Sequence, residues 1–278
     1  MLLSIFNKIK KMRTISQKKV VKQTIVHFLV YLITVPIGLY ISILLVRNLG
    51  AEDYGKLSLL ITIITIACSV VSWGFTMAYS RIVLTTHKEQ KKRELLGLGI
   101  LLFLAQAVIT FIVLQIFSPL VTLFYDPTIT ETILSLSIPA ALYVFMNFFT
   151  HTTRSLNHMY WAATHKALQP ILYILSIFFM LYFSRLTYSY TFLFLLLSTY
   201  IPIIIYCIVK KPSFANIRQH WKEIRTEQKR FGIHIFITQL LQKTSYRLDN
   251  LMLGTLSFSS VGQYNIAIKL THPLEILS

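Results

Sequence analysis

Eight apolar runs alternate with short polar connections along the chain, at roughly 24–46, 57–80, 95–118, 132–153, 166–184, 189–209, 231–256 and 261–278. A helix needs about 20 mostly apolar residues to cross a bilayer core, and each run is near that length. The pattern predicts an all-α, polytopic transmembrane bundle. The first run is too long for a signal-peptide core and no small-residue cleavage site follows it, so it is expected to be an uncleaved span. The last run reaches the C-terminus without a cap or a flanking charge, as if the chain stopped inside or just after a helix.

The polar connections carry a charge asymmetry. Seven Lys and Arg lie in the arm at 8–22, five at 81–94, two at 154–166 and seven at 210–230, against only Arg47, Lys56 and Arg185 in the alternate connections. Cytoplasmic loops hold such an excess, which puts the N-terminus inside and the turn at 47–56 outside. Composition agrees, with 55% hydrophobic and 13% charged residues against about 25% charged in a typical soluble domain. The net charge of +17 therefore reads as membrane topology, and nucleic acid is not an expected partner. Cys68 and Cys207 lie inside apolar runs and form no disulfide or metal pattern.

Two basic stretches have a helical apolar face. In 211–230, Phe214, Ile217, Trp221 and Ile224 recur at spacings of three and four, with Arg218, Lys222, Arg225 and Lys229 around them. Such a linker helix suits the headgroup layer and attracts anionic membrane lipids; topology anchoring is the simpler account of it and is preferred to specific ligand recognition. The arm at 1–23 is a weaker version, through Leu2, Ile5, Phe6, Ile9 and Met12.

Set with Gly55 over Gly262, "LGAEDYGKLSLLITI" lies over "LSFSSVGQYNIAIKL". Both stretches are turns between two spans, and six spans separate them. An even number puts both turns on one side, which implies two parallel bundles related by an axis along the membrane normal. The domains expected are the arm 1–23, a first six-helix lobe 24–210, the linker 211–230, and the opening of a second lobe at 231–278.

The seventh span is the most polar. At 100° per residue Gln239, Gln242, Lys243, Tyr246, Arg247, Asp249 and Asn250 fall within an arc of roughly 160°, with Leu240, Leu241, Leu248, Leu251 and Met252 largely opposite. Lys269 adds a positive charge in the eighth span. Ionisable groups at membrane depth are costly and mark function by default, so the stripe is expected to face a water-filled cavity. A packing account also exists, in which Asp249 merely neutralises a neighbouring cation. The sequence shows no glycine-rich phosphate loop, paired-Asp metal motif or nucleophile elbow. No enzyme, cofactor or metal site is expected.

"LVRNLGAEDYGKLSLL" resembles the first external turn of the Wzx-type polysaccharide flippases, lipid-linked oligosaccharide translocases of the multidrug/oligosaccharidyl-lipid/polysaccharide exporter superfamily. "GFTMAYSRIVLTTHKEQKK" resembles the exit of their second helix. "TRSLNHMYWAATHKALQ" resembles the end of their fourth, although Asn157 and His158 stand where a glycine and a basic residue are usual. "YRLDNLMLGTLSFSSVGQYNIAIKL" resembles the start of their second lobe, through Arg247, Leu248 and Asp249. The resemblance implies a fold like that of the multidrug and toxic-compound extrusion transporters, here one six-helix lobe plus the first two helices of another. It also implies alternating access in the bacterial cytoplasmic (inner) membrane, with an undecaprenyl-pyrophosphate-linked oligosaccharide as substrate. Arg247, Lys243, Asp249, Lys269, Asn250, Gln239, Gln242 and Tyr246 are then its candidate binding residues, and other polysaccharide assembly proteins are further expected partners. Two rival functions fit less of the pattern. One is a cation-coupled multidrug exporter of the same superfamily. The other is a membrane-embedded polymerase, which would show a large external loop.

Overall fold

In the computed structural model the backbone is described for residues 2–275 and side chains for 21–271 except Tyr246. The apolar face of the N-terminal arm and the end of the eighth run lie outside the described residues. Eleven helices are formed among those residues. They are α1 (Leu2–Val71), α2 (Phe75–Thr85), α3 (Glu89–Val121), α4 (Pro127–Ser135), α5 (Ser137–Ala141), α6 (Val144–Ser155), α7 (Met159–Tyr182), α8 (Tyr188–Lys210), α9 (Ile217–Glu227), α10 (Ile233–Leu256) and α11 (Phe258–Glu275). A π-helical turn, Gln228–Gly232, joins α9 to α10.

The first two runs form one long helix broken at a single residue. Gly50 has φ 83° and ψ 166°, a region open essentially only to glycine and costing any other residue about 1–3 kcal/mol. The predicted turn at 47–56 is therefore one residue wide. Glu52, Asp53 and Lys56 already belong to the helix beyond it, where Lys56 Nζ lies 3.0 Å from Glu52 and 3.7 Å from Asp53. The second run breaks again at 72–74, where Trp73 (φ 41°) and Gly74 (φ 74°) are both left-handed. The fourth run is bent by 76° between Pro127–Ser135 and Ser137–Ser155. Its start is set by Pro127 in the first turn and by Asp126, which accepts 2.8 Å from the Thr128 N–H.

Val21–Val71, α3, α7 and α8 are each long and apolar enough to cross a membrane, and the bent α4–α6 pair counts as a fifth such span. The chain is a multi-pass, all-α membrane protein. Hydroxyls inside the spans turn back on their own helices, as when Thr62 donates to the Ser58 carbonyl and Thr110 to that of Gln106. No water is available at that depth to satisfy them. An aromatic core ties α2, α3, α6 and α8 together. Phe103 and Phe148 ring centroids are 5.1 Å apart, Phe149 and Tyr206 5.2 Å, and Tyr79 meets both Phe103 and Phe148. All five side chains are fully buried.

Helices α10 and α11 lie along the two arms of α1. The contact at their common end is reciprocal. A Cβ on Gly55 would sit 1.8 Å from the Phe258 carbonyl oxygen, and one on Gly262 would sit 2.2 Å from that of Ala51. Residues 51 and 55 plus 207 are residues 258 and 262, so each contact is the mate of the other under one shift of register. The same shift carries the break at Gly50 onto Ser257, the extended residue between α10 and α11. The two contacts are reciprocal in the way a local pseudo-two-fold axis makes them, and the two turns lie on one side. At the opposite end a second glycine pair meets, with Gly232 backbone 2.2 Å from where a Gly74 Cβ would lie.

The linker helix α9 does not rest its apolar face on lipid alone. Ile224 is fully buried and Ile217 partly so against the first bundle, while Trp221 stacks on Phe75 at 5.4 Å. Polar rungs fasten it. His220 Nε2 lies 2.8 Å from the buried Glu94 carboxylate, Lys91 2.8 Å from Glu223 and Arg81 2.8 Å from Glu227. Four apolar positions at helical spacing cannot distinguish a lipid surface from a protein groove, and here Ile217, Trp221 and Ile224 pack on the protein while Phe214 is exposed.

Candidate functional site

The polar stripe of α10 divides once its neighbours are known. Lys243 is exposed and Arg247 half-buried, and neither has a carboxylate within ion-pair distance among the described residues. Lys243 is within electrostatic reach of Cys68 and His151, and Arg247 of Tyr143. These two cations thus look across at α1 and the α5–α6 corner of the first bundle. Gln239 sits on the same side and approaches the Met77 sulfur at 3.8 Å, while Gln242 is exposed.

The other predicted residues take different places. Asn250 is buried, donates to Thr62 Oγ1 at 3.1 Å and accepts from Asn265 at 2.8 Å, so it clamps α10 to α1 and α11. Asp249 accepts a hydrogen bond from the Tyr264 hydroxyl. It forms no ion pair among the described residues, which removes it as the neutraliser of Lys243 or Arg247. Lys269 donates 2.6 Å to Ser42 Oγ and lies 5.7 Å from the Tyr54 ring centroid, bridging α11 to α1. The Tyr246 side chain lies outside the described residues.

The fold gathers Arg154 and Lys166, the two cations of the 154–166 connection, to the His27 imidazole of the first span. Arg154 at the end of α6, Lys166 on α7 and His27 on α1 are within mutual electrostatic reach, and Arg154 also reaches His151. Lys166 Nζ lies 3.8 Å from the Tyr31 ring centroid, a cation–π contact in place of a counter-ion. His27 Nδ1 and His165 Nε2 are buried without a hydrogen-bond partner. Arg154 and Lys166 on one side and Lys243 and Arg247 on α10 are thus cations that no carboxylate among the described residues pairs with, and Arg154 and Lys243 both reach the His151 imidazole between them. These cations can hold a multiply charged anion by charge-assisted hydrogen bonds.

The model of the polysaccharide biosynthesis protein family matches residues 20–277. The chain belongs to that family. It is thereby a member of the multidrug/oligosaccharidyl-lipid/polysaccharide exporter superfamily, and its fold agrees. The MATE multidrug transporter DinF-BH, solved in complex with a ligand, superposes with a TM-score of 0.64 at 15% identity, over 89% of this chain and 58% of that one. A second solved chain, described as protein A, gives 0.67 at 13% identity, over 90% and 60%. The family member thus spans about three-fifths of the length of these structures. No curated protein matches its sequence.

Proposed function

We propose that this family member translocates a lipid-linked oligosaccharide across the bacterial cytoplasmic membrane, by alternating access between two lobes of which the second opens at α10. The observation that carries this reading is a set of four cations, Arg154, Lys166, Lys243 and Arg247, without a carboxylate partner among the described residues. A saccharide carried on a pyrophosphate brings the complementary charge. Arginine offers its oxygens a bidentate fork and lysine a point charge. Held away from bulk water, such contacts are much stronger than at a surface. The lipid tail stays in the bilayer while the headgroup passes between the lobes. A multidrug exporter of organic cations would call for carboxylates where these cations stand, and Asp249 is occupied by Tyr264.

The deciding experiment removes the full-length protein from its own cell. Surface polysaccharide should disappear and the lipid-linked precursor should accumulate in the inner leaflet, with unchanged sensitivity to cationic dyes. Raised dye sensitivity with normal polysaccharide would establish the exporter instead. Orientation is checked separately. A cysteine at Asp53 should react with an impermeant thiol reagent in intact cells and one at Lys91 should not; the reverse would invert the direction of transport.

A further inference from the structure

An apolar slot of about 530 Å³ opens where the second span breaks. Its walls include Val70, Trp73, Phe75, Ile109, Val113 and Trp221. The break makes the slot. Two successive left-handed residues, Trp73 and Gly74, step the chain aside before α2 begins, so no side chain fills the space over that stretch of α3. At its base the Ser72 carbonyl accepts from the Phe75 N–H at 2.9 Å and from the Gln106 side chain at 3.3 Å. None of the four unpaired cations of the candidate site lines the slot, and neither α10 nor α11 does.

Its rim is the linker helix. Trp221 is partly exposed at the mouth, stacked on Phe75. Arg218 and Arg225 stand three residues before and four after it, on the same helical face, with Lys222 adjacent. All three cations are exposed, and none has a carboxylate partner among the described residues. The reason is local. Both carboxylates of α9 are already used inward, Glu223 by Lys91 and Glu227 by Arg81. The result is a hydrocarbon pocket topped by unpaired positive charge, at a tryptophan-marked membrane surface.

We propose that this slot is a binding site for one anionic glycerophospholipid, with an acyl chain against Ile109 and Val113 and the phosphate on Arg218 and Arg225. The occupant is fixed by complementarity. A neutral lipid would fill the slot but leave the cations unanswered, and a soluble anion would answer them but leave the slot empty. The bound lipid would extend the protein contacts that hold α9 to the first bundle. The inference does not depend on the transported substrate.

The test uses tryptophan fluorescence of the purified protein carrying Trp161→Phe, leaving Trp73 and Trp221 at the slot. Mixed micelles are titrated with phosphatidylglycerol or phosphatidylcholine brominated on the same acyl position. Brominated phosphatidylglycerol should reach half-quenching at a several-fold lower mole fraction. Arg218→Gln and Arg225→Gln should each weaken that preference roughly fivefold, the worth of one cation near an anionic headgroup, whereas Lys22→Gln and Lys88→Gln should not. Ile109→Phe, filling the slot, should remove the saturable quenching. Equal half-quenching by the two lipids, or an equal effect of Lys88→Gln, would overturn the proposal in favour of a non-specific lipid annulus. Displacement by unbrominated undecaprenyl phosphate at far lower mole fraction than by phosphatidylglycerol would overturn it in favour of a substrate-tail site. Should Ile109→Phe fail to fold, the two surface arginine variants still decide.

Discussion

Placing a methyl group on Gly262 is expected to drive α11 away from α1 at the end where Gly55 and Gly262 meet. The new Cβ would lie 2.2 Å from the Ala51 carbonyl oxygen and 3.1 Å from its carbon. Backbone atoms of a packed helix cannot step aside as a flexible side chain would. Small residues allow this approach in membranes, where close packing must replace the hydrophobic effect between helices. Gly55→Ala should act the same way through the Phe258 carbonyl, since the two contacts are mates under one register. Overpacking typically costs about 1–3 kcal/mol, and with backbone on both sides the top of that range is expected, roughly a 150-fold loss of the closed arrangement. Other contacts across the joint would be lost with it, among them Tyr125 to the Leu251 carbonyl at 3.0 Å and Lys56 over the Phe258 ring at 5.5 Å. The readout is a short cross-linker between cysteines placed at Glu52 and Ser259, which border one cleft at this end. Cross-linking should be efficient with both glycines present and strongly reduced in either alanine variant. Undiminished yield would show that the joint does not close on these glycines.

Removing the Arg247 guanidinium should have the largest effect on transport without loss of the protein from the membrane. Arg247 is half-buried and faces the Tyr143 corner with no carboxylate partner among the described residues, so its loss orphans no ion pair there. A charge-assisted contact to an anionic headgroup is worth about 1.5–3 kcal/mol, and Arg247→Ala in the full-length protein should lower output by roughly 10- to 150-fold. Arg247→Lys should restore only part, because the fork is gone. Lys243→Ala should fall in the same direction, and the double variant should show coupling if one headgroup touches both. Arg185→Gln, in the short α7–α8 connection, should leave output unchanged. Polysaccharide per unit of inserted protein is measured beside unflipped precursor. Normal output from Arg247→Ala would remove the arginine from the substrate path. Failed insertion would mark it as a packing residue.

The spans up to α8 are legible in the chain alone, because the bilayer imposes a length and a polarity that any single chain must show, whereas α10 and α11 are not both long and apolar enough among the described residues to pass as crossing helices. The pairing of the two turns is legible in the same way. Gly55 and Gly262 align from the pattern, since a backbone that must touch another backbone admits only glycine at that point. The polar face of α10 is equally plain, because helical periodicity is a local property. Partners are not local. It takes the packed fold to show that Asp249 answers Tyr264 and not a cation, that Asn250 clamps helices together, and that Lys269 reaches Ser42. It takes the packing of α6 and α7 against α1 to gather His27 to Arg154 and Lys166, two charges that in the chain read as loop residues. The linker helix shows the same limit. Its period declares an apolar face, but the groove that receives Ile217 and Ile224, and the side chains that hold it there, come from α2 and α3. Periodicity specifies which side of a helix avoids water, and the long-range fold alone specifies what takes water's place.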